Sequence, residues 1–502
     1  MRVTFLNPPF LKNFSRPQRS PAVTKSGTLY YPMWLAYAAG YTEAGGHAID
    51  FIDAPAASIS EDVVIERIKK NGSRLVVVET STPSIYNDVN FSGKLKEKLG
   101  REGEEVFVVL VGTHVSALPE ESLRLNTAVD AVARGEFDAT VRELADALEA
   151  GQELESVAGL WIRKGEKGEK GDEILHTGER APLADIDQLP FVSSVYKKFL
   201  DPHHYFNPNA LFPMVTITTS RGCPHRCFFC VYPQTMMGHK LRNRSVDNVV
   251  DELEYIIANF PEVKAIFFED DTFPANKKRC IAICEEMIRR NIKISWTANA
   301  RVDLDQETML VMKKAGCRCL CVGFESGNQQ LLDTMKKGIT LEQSRTFMEA
   351  ARKTGILIHG CFMVGLPGET RDTMQETLDL AISLQPDAIQ VYPVMVYPGT
   401  EAYAWYKQKN LITSKDFSQW LTPSGLHNTV IQGENLSAEE LVRFCDSARK
   451  KFYLRPGYIL YKFIQMIRHP TEIRRTFKSV RTFAKYLFFG SDVQKESLVQ
   501  DS

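Results

Sequence analysis

The sequence has 502 residues, a length that suits two or three domains, and its hydrophobic (44%) and charged (25%) fractions are those of an ordinary globular protein. A formal net charge of -1 argues against a nucleic-acid partner, because such partners need a strongly basic surface. Ten cysteines are too sparse for a small disulfide scaffold, and no run of about 18 apolar residues predicts a membrane-spanning helix. We therefore expect a globular protein in a reducing, cytoplasmic compartment.

Short apolar segments alternate with helical patterns over residues 1–150. Strands are predicted at 3–6, 48–52, 75–78, 106–111 and 129–133, with helices such as 33–44 and 61–70 between them. This order predicts an α/β domain with a doubly wound parallel sheet, whose ligand would bind beyond the carboxyl ends of the strands. Small and polar residues stand at those ends: Thr80, Ser81, Gly112, Thr113, His114, Gly135 and Glu136. Neither G-x-G-x-x-G nor G-x4-G-K-[ST] occurs, so the sequence predicts no dinucleotide or P-loop site.

Three further regions follow along the chain. Residues 151–208 are predicted to be a linker with a hairpin, whose strands at 161–163 and 173–176 flank a charged, glycine-rich loop. In residues 209–430 the strand–helix alternation returns, with apolar strands at 214–220, 265–271, 293–300, 319–326, 356–365 and 388–397. Six such units predict a partial (β/α)6 barrel, with its site at the carboxyl ends of the strands. Residues 431–502 are predicted to form a helical C-terminal tail.

Three cysteines stand at C-x3-C-x2-C spacing directly after the first barrel strand: Cys223, Cys227 and Cys230. Three thiolates this close together can converge on one metal site. Sulfur ligands favour soft metals, so the site would hold zinc, copper(I) or an iron–sulfur cluster. A structural zinc site closes with four ligands, and no fourth cysteine or histidine completes the set locally. The alternative is three free cysteines that pack as small apolar side chains. A cubane cluster on three cysteines would leave one iron open for a substrate or a chelating cofactor.

The stretch 220–230 resembles the cluster motif of the radical S-adenosylmethionine (SAM) superfamily, C-x3-C-x-Φ-C, in which Φ is aromatic and is Phe229 here. The turn Gly365-Leu366-Pro367-Gly368-Glu369-Thr370 is also similar to a superfamily signature. The resemblance implies that the three cysteines hold a [4Fe-4S] cluster whose open iron is chelated by SAM. It implies contacts to SAM from Phe229, Glu269, Asp270, Arg301, Glu325, Ser326, Gly360 and Met363. Glu269 or Asp270 would bind the amino group of SAM, with Asp271 as a further candidate.

The N-terminal layout, joined to this motif, is similar to the cobalamin-binding domain of the superfamily's B12 branch. The resemblance implies that cobalamin lies against the strand ends named above. The motif D-x-H-x-x-G, whose histidine ligates cobalt in many B12 proteins, is absent. Cobalt would then have no protein histidine on its lower face, and His114 would either touch the corrin edge or cap a helix. A domain that keeps this fold without binding cobalamin is the alternative.

The resemblance implies an enzyme that generates a 5'-deoxyadenosyl radical with one electron from a donor such as flavodoxin or ferredoxin. We expect B12-dependent methylation of an unactivated carbon in a hydrophobic or membrane-associated metabolite. The alternative is a radical cyclase, rearrangement or oxidation enzyme without net methylation, similar to those of hopanoid tailoring and anaerobic tetrapyrrole cyclisation. A non-catalytic iron–sulfur sensor is a third possibility.

The end of the chain is basic and aromatic. Five cations stand among aromatic and apolar side chains between residues 474 and 489: Arg474, Arg475, Lys478, Arg481 and Lys485. This pattern is typical of a helix that lies on a membrane surface, and it equally suits docking on the protein's own barrel. We therefore expect a cytoplasmic protein, with peripheral contact at the inner face of the membrane as one interpretation of the tail.

Overall fold

The computed structural model describes residues 1–468 except 102, 104 and 165–172. The glycine-rich loop at 165–172 and the basic stretch at 474–489 lie outside the described residues. The described chain folds into two α/β units, each built on a sheet with parallel strands, and ends in helices. The predicted fold class is confirmed: a doubly wound N-terminal sheet precedes an open six-stranded barrel and a helical region.

The N-terminal sheet has its strands in the order β2-β1-β3-β4-β5-β6-β7. They are β1 (Arg2–Asn7), β2 (Ala48–Asp53), β3 (Leu75–Glu79), β4 (Phe107–Val111), β5 (Ala131–Ala133), β6 (Leu160–Lys164) and β7 (Glu173–His176). The first five are parallel, and β3 and β4 are valine-rich runs because helices cover both of their faces. The pairs β5–β6 and β6–β7 are antiparallel. The predicted hairpin thus extends this sheet into the segment that the sequence predicted to be a linker.

Helices of the first unit begin and end where local chemistry requires. They are α1 (Met33–Ala44), α2 (Ala54–Ala57), α3 (Glu61–Asn71), α4 (Ile85–Gly100), α5 (Thr113–Ala117), α6 (Pro119–Arg124), α7 (Asp138–Ala150) and α8 (Val192–Phe199). The α3 helix ends at Gly72, whose φ of +68° is the left-handed conformation that glycine adopts without strain. On one side of the sheet α1 packs against α7 and α8, while α3 packs against α4.

The second sheet has six parallel strands in the order β15-β14-β13-β12-β11-β8, and within the described chain it is open between β8 and β15. Its strands are β8 (Met214–Ile217), β11 (Ala265–Phe268), β12 (Ser295–Ala300), β13 (Cys317–Glu325), β14 (Leu357–Val364) and β15 (Ala388–Pro393). A separate antiparallel pair, β9 (Ser220–Arg221) and β10 (Arg242–Asn243), lies at the end of β8. These strands match the six predicted ones closely.

Ten helices are described in the second part of the chain. They are α9 (Val231–Thr235), α10 (Val246–Asn259), α11 (Lys277–Arg289), α12 (Gln306–Lys314), α13 (Gln329–Thr334), α14 (Leu341–Thr354), α15 (Arg371–Leu384), α16 (Glu401–Gln408), α17 (Ala438–Tyr453) and α18 (Pro456–Arg468). The α14 helix starts with a capping box in which Thr340 and Gln343 satisfy each other's backbone amides. No helix among the described residues has both the length and the apolar composition needed to cross a bilayer.

One segment joins the two units and the C-terminal region. We call residues 8–32 the β1–α1 loop. Arg16 pairs with Asp88 of α4 at 2.6 Å, and both side chains are fully buried. On the other side, the Val23 amide donates to the carbonyl of Gly425 at 2.8 Å, and His427 Nε2 donates to the carbonyl of Ser20 at 3.1 Å. The loop is therefore fixed between the N-terminal sheet and the segment after the barrel.

Candidate cofactor and active site

The cysteine loop leaves the first barrel strand through the clip formed by β9 and β10. Gly222 has a φ of +83°, and a Cβ at this position would collide with the carbonyl oxygen of Lys240. The Cys223 amide then donates to the carbonyl of Gly238 at 3.2 Å. Glycine is thus required at 222, because the backbone of Lys240, beside the clip, lies too close for any side chain.

Two side chains hold the cysteine loop in shape. Gln234 Nε2 donates to the carbonyls of Cys227 (3.3 Å), Phe228 (3.1 Å) and Cys230 (2.9 Å). His239 Nδ1 donates to the carbonyl of Cys223 at 3.1 Å. The carbonyls of the cysteine loop are therefore satisfied by donors from the protein itself.

The three cysteines bring three soft donors to one loop. Cys223 is buried, and Cys227 and Cys230 are half-buried. Among the described residues no three His, Cys, Asp or Glu side chains converge closely enough to hold one metal ion. Burial, with Asp271 adding to it, raises the pKa of the Cys223 and Cys230 thiols. Three soft donors on one largely buried loop suit an iron–sulfur cluster, whose iron ions would stabilise the thiolates.

The three carboxylates of the turn after β11, at residues 269–271, make two kinds of contact. Asp270 accepts hydrogen bonds from the Thr219 amide (3.0 Å) and the Thr219 hydroxyl (2.9 Å), and also from Ser220. Glu269 instead pairs with Arg19 of the β1–α1 loop, and Asp271 accepts from Arg19 Nη2 at 2.9 Å. Burial raises the pKa of Glu269 to about 7, although Arg19 lowers it. Asp270 thus ties β11 to the end of β8, and Glu269 and Asp271 form the charged part of the turn.

Arg301 and Glu325 lie near the cysteine loop with part of their hydrogen-bonding capacity unused. Arg301 Nη1 is 3.8 Å from Cys227 Sγ, and its buried Nε has no hydrogen-bond partner. Glu325 has a φ of +66°, which is strained for a residue with a side chain, and its buried Oε2 also has no partner. An unsatisfied donor and an unsatisfied acceptor, both buried, match the carboxylate and hydroxyl groups of a polar cofactor such as SAM.

Lys337 is a functional candidate that the sequence analysis missed. Its Nζ lies 2.6 Å from Glu325 Oε1, and its carbonyl accepts from Arg301 Nη2. The side chain is almost fully buried, which is unusual for lysine. The signal in the sequence was weak: a pair of lysines before Gly338, in a segment typical of an exposed turn.

The other residues predicted to contact SAM shape the backbone and packing around the same site. Ser326 Oγ accepts from the Asn328 amide at 3.1 Å, so it shapes the turn after β13. Gly360 lies against the stacked rings of Phe324 and Phe362, where a Cβ would be 3.1 Å from the nearer ring. Met363 is buried, and Phe229 is half-buried.

The signature turn after β14 is held by its own glutamate. Glu369 Oε2 accepts from the amides of Gly365 (2.8 Å) and Leu366 (3.0 Å). Burial raises the pKa of Glu369 to about 7. Tyr406 of α16 donates to the carbonyl of Gly365.

The turns at the strand ends of the N-terminal sheet are joined by hydrogen bonds and close backbone packing. Thr80 Oγ1 donates to the carbonyl of Val111 at 2.8 Å, and Gly112, with a φ of +118°, leaves no room for a Cβ beside the Thr80 carbonyl. The Gly135 amide donates to Ser116 Oγ at 2.9 Å. Ser81 and Thr113 belong to the same two turns, and the Ser81 hydroxyl is 2.8 Å from that of Ser84. The structure thus brings the predicted cobalamin contacts from β3, β4 and β5 together.

His114 is a buried neutral side chain. Its ring packs edge-on against Phe417 at 4.9 Å, and Nδ1 lies 3.2 Å from the hydroxyl of Thr82. Burial lowers the pKa of His114 to about 3. His114 lies in the first turn of α5. Its side chain contacts Thr82 and makes no capping hydrogen bond to α5.

Glu136 connects the two units. Its carboxylate pairs with Arg221 of β9 and lies 2.7 Å from Arg242 Nη1, and Arg221 also pairs with Asp138 at 2.7 Å. All four side chains are buried. Arg221 precedes the cysteine loop directly, and its guanidinium lies 4.9 Å from the centre of the Tyr37 ring. The ends of the two sheets therefore meet at a charged interface, one residue before the turn that leads to Cys223.

Comparison with known proteins agrees with this geometry. The Radical SAM superfamily model matches residues 217–381, and the B12 binding domain model matches residues 19–145. An uncharacterized methyltransferase of Pyrococcus horikoshii is 31% identical over 86% of this chain and 90% of its own. The anaerobic magnesium-protoporphyrin IX monomethyl ester cyclase of Rubrivivax gelatinosus is 26% identical over 92% of this chain and 79% of its own.

A solved structure shares the fold. It is the radical SAM methyltransferase TsrM from Kitasatospora setae, with a TM-score of 0.63, 18% identity, and coverage of 88% of this chain and 82% of that one. TsrM has been solved with a SAM analogue and tryptophan, and with cobalamin and a [4Fe-4S] cluster. A radical SAM domain uses a [4Fe-4S] cluster and SAM, and a B12-binding domain uses cobalamin. The chain therefore belongs to the radical SAM superfamily, in the branch whose members carry a B12-binding domain.

Proposed function

We propose that this B12-dependent radical SAM enzyme methylates an unactivated carbon of a hydrophobic small molecule. The observation that carries the proposal is the meeting of the two sheets at their strand ends, where the cysteine loop and the predicted cobalamin surface are joined through Arg221 and Glu136. The methyltransferase of Pyrococcus horikoshii, 31% identical over most of both chains, supports methylation as the outcome.

In this proposal the residues divide by cofactor. Cys223, Cys227 and Cys230 hold the cluster. Glu269, Arg301 and Glu325 bind the polar groups of SAM, and Phe229, Ser326, Gly360 and Met363 shape its surroundings. Thr80, Ser81, Gly112, Thr113 and Gly135 form the strand-end turns against which cobalamin binds, and His114 and Glu136 support those turns through their contacts to Thr82 and to Arg221. When bound, these groups supply one-electron cleavage of SAM to a 5'-deoxyadenosyl radical and a transferable methyl group.

The protein's own residues position and shield this chemistry. Arg301, 3.8 Å from Cys227 Sγ, places a permanent positive charge beside the thiolate ligands. Gln234 and His239 keep the loop carbonyls bonded, so the loop does not need to reorganise when the cluster binds. Glu269 holds negative charge where an ammonium group can pair with it.

A second candidate function is radical cyclisation or oxidation without net methylation. It is supported by the cyclase of Rubrivivax gelatinosus, which aligns with 92% of this chain. The two candidates differ in the fate of the methyl group of SAM, so a label on that methyl group separates them.

The experiment is anaerobic reconstitution with iron, sulfide and cobalamin, followed by incubation with methyl-deuterated SAM, reduced flavodoxin and a lipid-and-pigment extract. Methylation predicts a deuterated product together with both S-adenosylhomocysteine and 5'-deoxyadenosine. Cyclisation or oxidation predicts 5'-deoxyadenosine and no transferred label. The Cys230→Ala variant is the control and should release neither nucleoside. If the wild-type protein with a full cluster also releases neither, both candidates are wrong and a non-catalytic iron–sulfur role gains support.

The hydrophobic substrate and the membrane contact belong to the same proposal. The α18 helix exposes large apolar side chains over half of their surface: Ile459, Leu460, Phe463 and Ile467. Its other side is held to the barrel, where Tyr458 and Tyr461 donate to the carbonyl and carboxylate of Asp387. The basic residues at 474–485 follow in the sequence. An exposed apolar helical face that is followed in the sequence by basic residues suits an anionic lipid bilayer.

Vesicle sedimentation tests this contact. Wild-type protein should sediment with vesicles that contain phosphatidylglycerol, and the Leu460→Glu/Phe463→Glu variant should stay in solution. The Leu310→Glu variant, which changes an exposed apolar residue of α12, is the matched control and should sediment like the wild type. Equal sedimentation of all three proteins would contradict the proposed membrane contact.

A further inference from the structure

We infer that Arg19 competes with SAM for Glu269. Its guanidinium pairs with the Glu269 carboxylate when SAM is absent, and the ammonium group of SAM replaces it there when SAM binds. Arg19 thereby sets the affinity of the site for SAM from the opposite unit of the protein. The inference rests on the proposed binding of SAM beside Glu269.

The contacts of Arg19 define a two-carboxylate site. Nη1 pairs with the Glu269 carboxylate, and Nη2 donates to the Glu269 carbonyl at 3.3 Å. Nη2 and Nε both donate to Asp271 Oδ1, at 2.9 and 3.3 Å. The guanidinium lies 5.4 Å from the centre of the Tyr232 ring. Arg19 therefore pairs with two carboxylates and lies beside one aromatic ring.

The net charge of the site favours the binding of a second cation. Asp270 is already satisfied by the hydrogen bonds of Thr219 and Ser220, so Glu269 and Asp271 carry the charge that needs a partner. Arg19 is the cation paired with both of them in the described chain. One guanidinium against two carboxylates leaves a net negative charge, which a second cation would neutralise.

The backbone around Arg19 is fixed, so the exchange is made by the side chain. Arg16, three residues earlier, is buried in its pair with Asp88, and Val23, four residues later, bonds to Gly425. Tyr232, which follows the cysteine loop, donates to the carbonyl of Pro17. About a third of the Arg19 side chain is exposed, against less than a tenth of the Glu269 side chain. The guanidinium can therefore swing away from Glu269 and keep Asp271 while the loop stays in place.

The direction of the effect follows from competition. An ammonium group that binds Glu269 must displace Arg19 and then sits near its positive charge. At a pH where Glu269 is ionised in both proteins, removing the charge of Arg19 should therefore tighten SAM binding by about five-fold, the size of one partly exposed ion pair. A ligand without an ammonium group should not respond.

The test measures binding of SAM to the anaerobically reconstituted, unreduced protein by equilibrium dialysis. Arg19→Met should bind SAM about five-fold more tightly than the wild type, and 5'-methylthioadenosine, which lacks the amino-acid part, should bind both proteins equally. Arg67→Met is the matched control, because Arg67 pairs with Asp50 on the far edge of the N-terminal sheet. Iron and sulfide per chain must be equal in all proteins.

Three results would overturn the inference. Weaker or unchanged SAM binding by Arg19→Met would mean that Arg19 does not compete with SAM. Equal tightening of 5'-methylthioadenosine would show a general opening of the loop instead of a charge exchange. If the wild-type protein with a full cluster binds no SAM at all, the proposed function itself fails, and that outcome is distinct from the other two.

Discussion

Lys337 is a buried cation whose charge is matched by Glu325, 2.6 Å away. Removing one partner of a buried pair leaves the other charge uncompensated, at a cost of about 3 kcal/mol or more, whereas removing both is much cheaper. We expect Lys337→Met to lower the free energy of unfolding by about 3 kcal/mol in urea titrations. The Glu325→Gln/Lys337→Met double variant should recover most of this loss. A double variant that is less stable than the single one would contradict the pairing.

Glu79, at the end of β3, gives the protein a measurable pH dependence. Burial, with Asp53 adding to it, raises the pKa of Glu79 from 4.5 to about 8, and its Oε2 has no hydrogen-bond partner. The folded chain therefore keeps a proton that the unfolded chain releases between these two values. Stability from this group is complete below pH 4.5, falls by up to about 1.4 kcal/mol per pH unit above it, and is lost as the pH passes 8.

The Glu79→Gln variant should remove this slope. The difference in unfolding free energy between the variant and the wild type should shift in favour of the variant from pH 5.5 to pH 7.5. Groups that do not interact with Glu79 titrate alike in both proteins, so their effects cancel in the difference. Urea titrations at three pH values measure it, and parallel stability curves would show that Glu79 is ionised in the folded chain.

At the scale of elements, the clip of β9 and β10 decides whether the cysteine loop can form. Gly222→Ala would place a Cβ against the carbonyl of Lys240 and also strain a φ of +83°. We expect the variant to lose most of its iron and sulfide after reconstitution. Gly238→Ala is the matched control, because its φ is +70° but nothing lies within 4 Å of the added Cβ. Equal iron content in both variants would mean that the clip adjusts without harm to the loop.

The strands and the cysteine loop could be predicted from the sequence because their signals are local. Apolar runs with βα spacing gave both sheets, and C-x3-C-x2-C marked the cluster loop. The edge of the first sheet could not be predicted, because β6 joins β5 through contacts between residues about 30 positions apart, such as Ala131 and Ile162. The roles of Lys337 and Arg19 could not be predicted for the same reason. A charged side chain is expected to be exposed unless a partner elsewhere in the chain is known.

At the scale of the whole molecule, one buried charge network joins the cobalamin-type unit to the barrel. Glu136 lies between Arg221 and Arg242, and replacing it leaves two buried cations with fewer partners. We expect Glu136→Gln to cost about 3 kcal/mol of unfolding free energy. Glu143→Gln, which breaks the half-exposed pair with Arg180, should cost less than about 1 kcal/mol.

The same pair of variants tests whether the interface positions the cofactors. Glu136→Gln should bind cobalamin more weakly than Glu143→Gln in absorbance titrations, because Gly135 and Glu136 lie in the turn after β5, beside the proposed corrin site. Loss of stability with unchanged cobalamin affinity would limit Glu136 to a structural role.

The fixation of the β1–α1 loop by Gly425 and His427 has a consequence for synthesis. His427 and Ser20 are 407 residues apart, so this end of the loop is fastened only after nearly all of the described chain has been made. At translation rates of 5 to 20 residues per second, the interval between Cys230 and His427 lasts about 10 to 40 seconds. During that time the β1–α1 loop has only its contacts to earlier parts of the chain, such as Arg16 with Asp88 and Arg19 with Glu269, so its attachment to the segment after the barrel is the last to form.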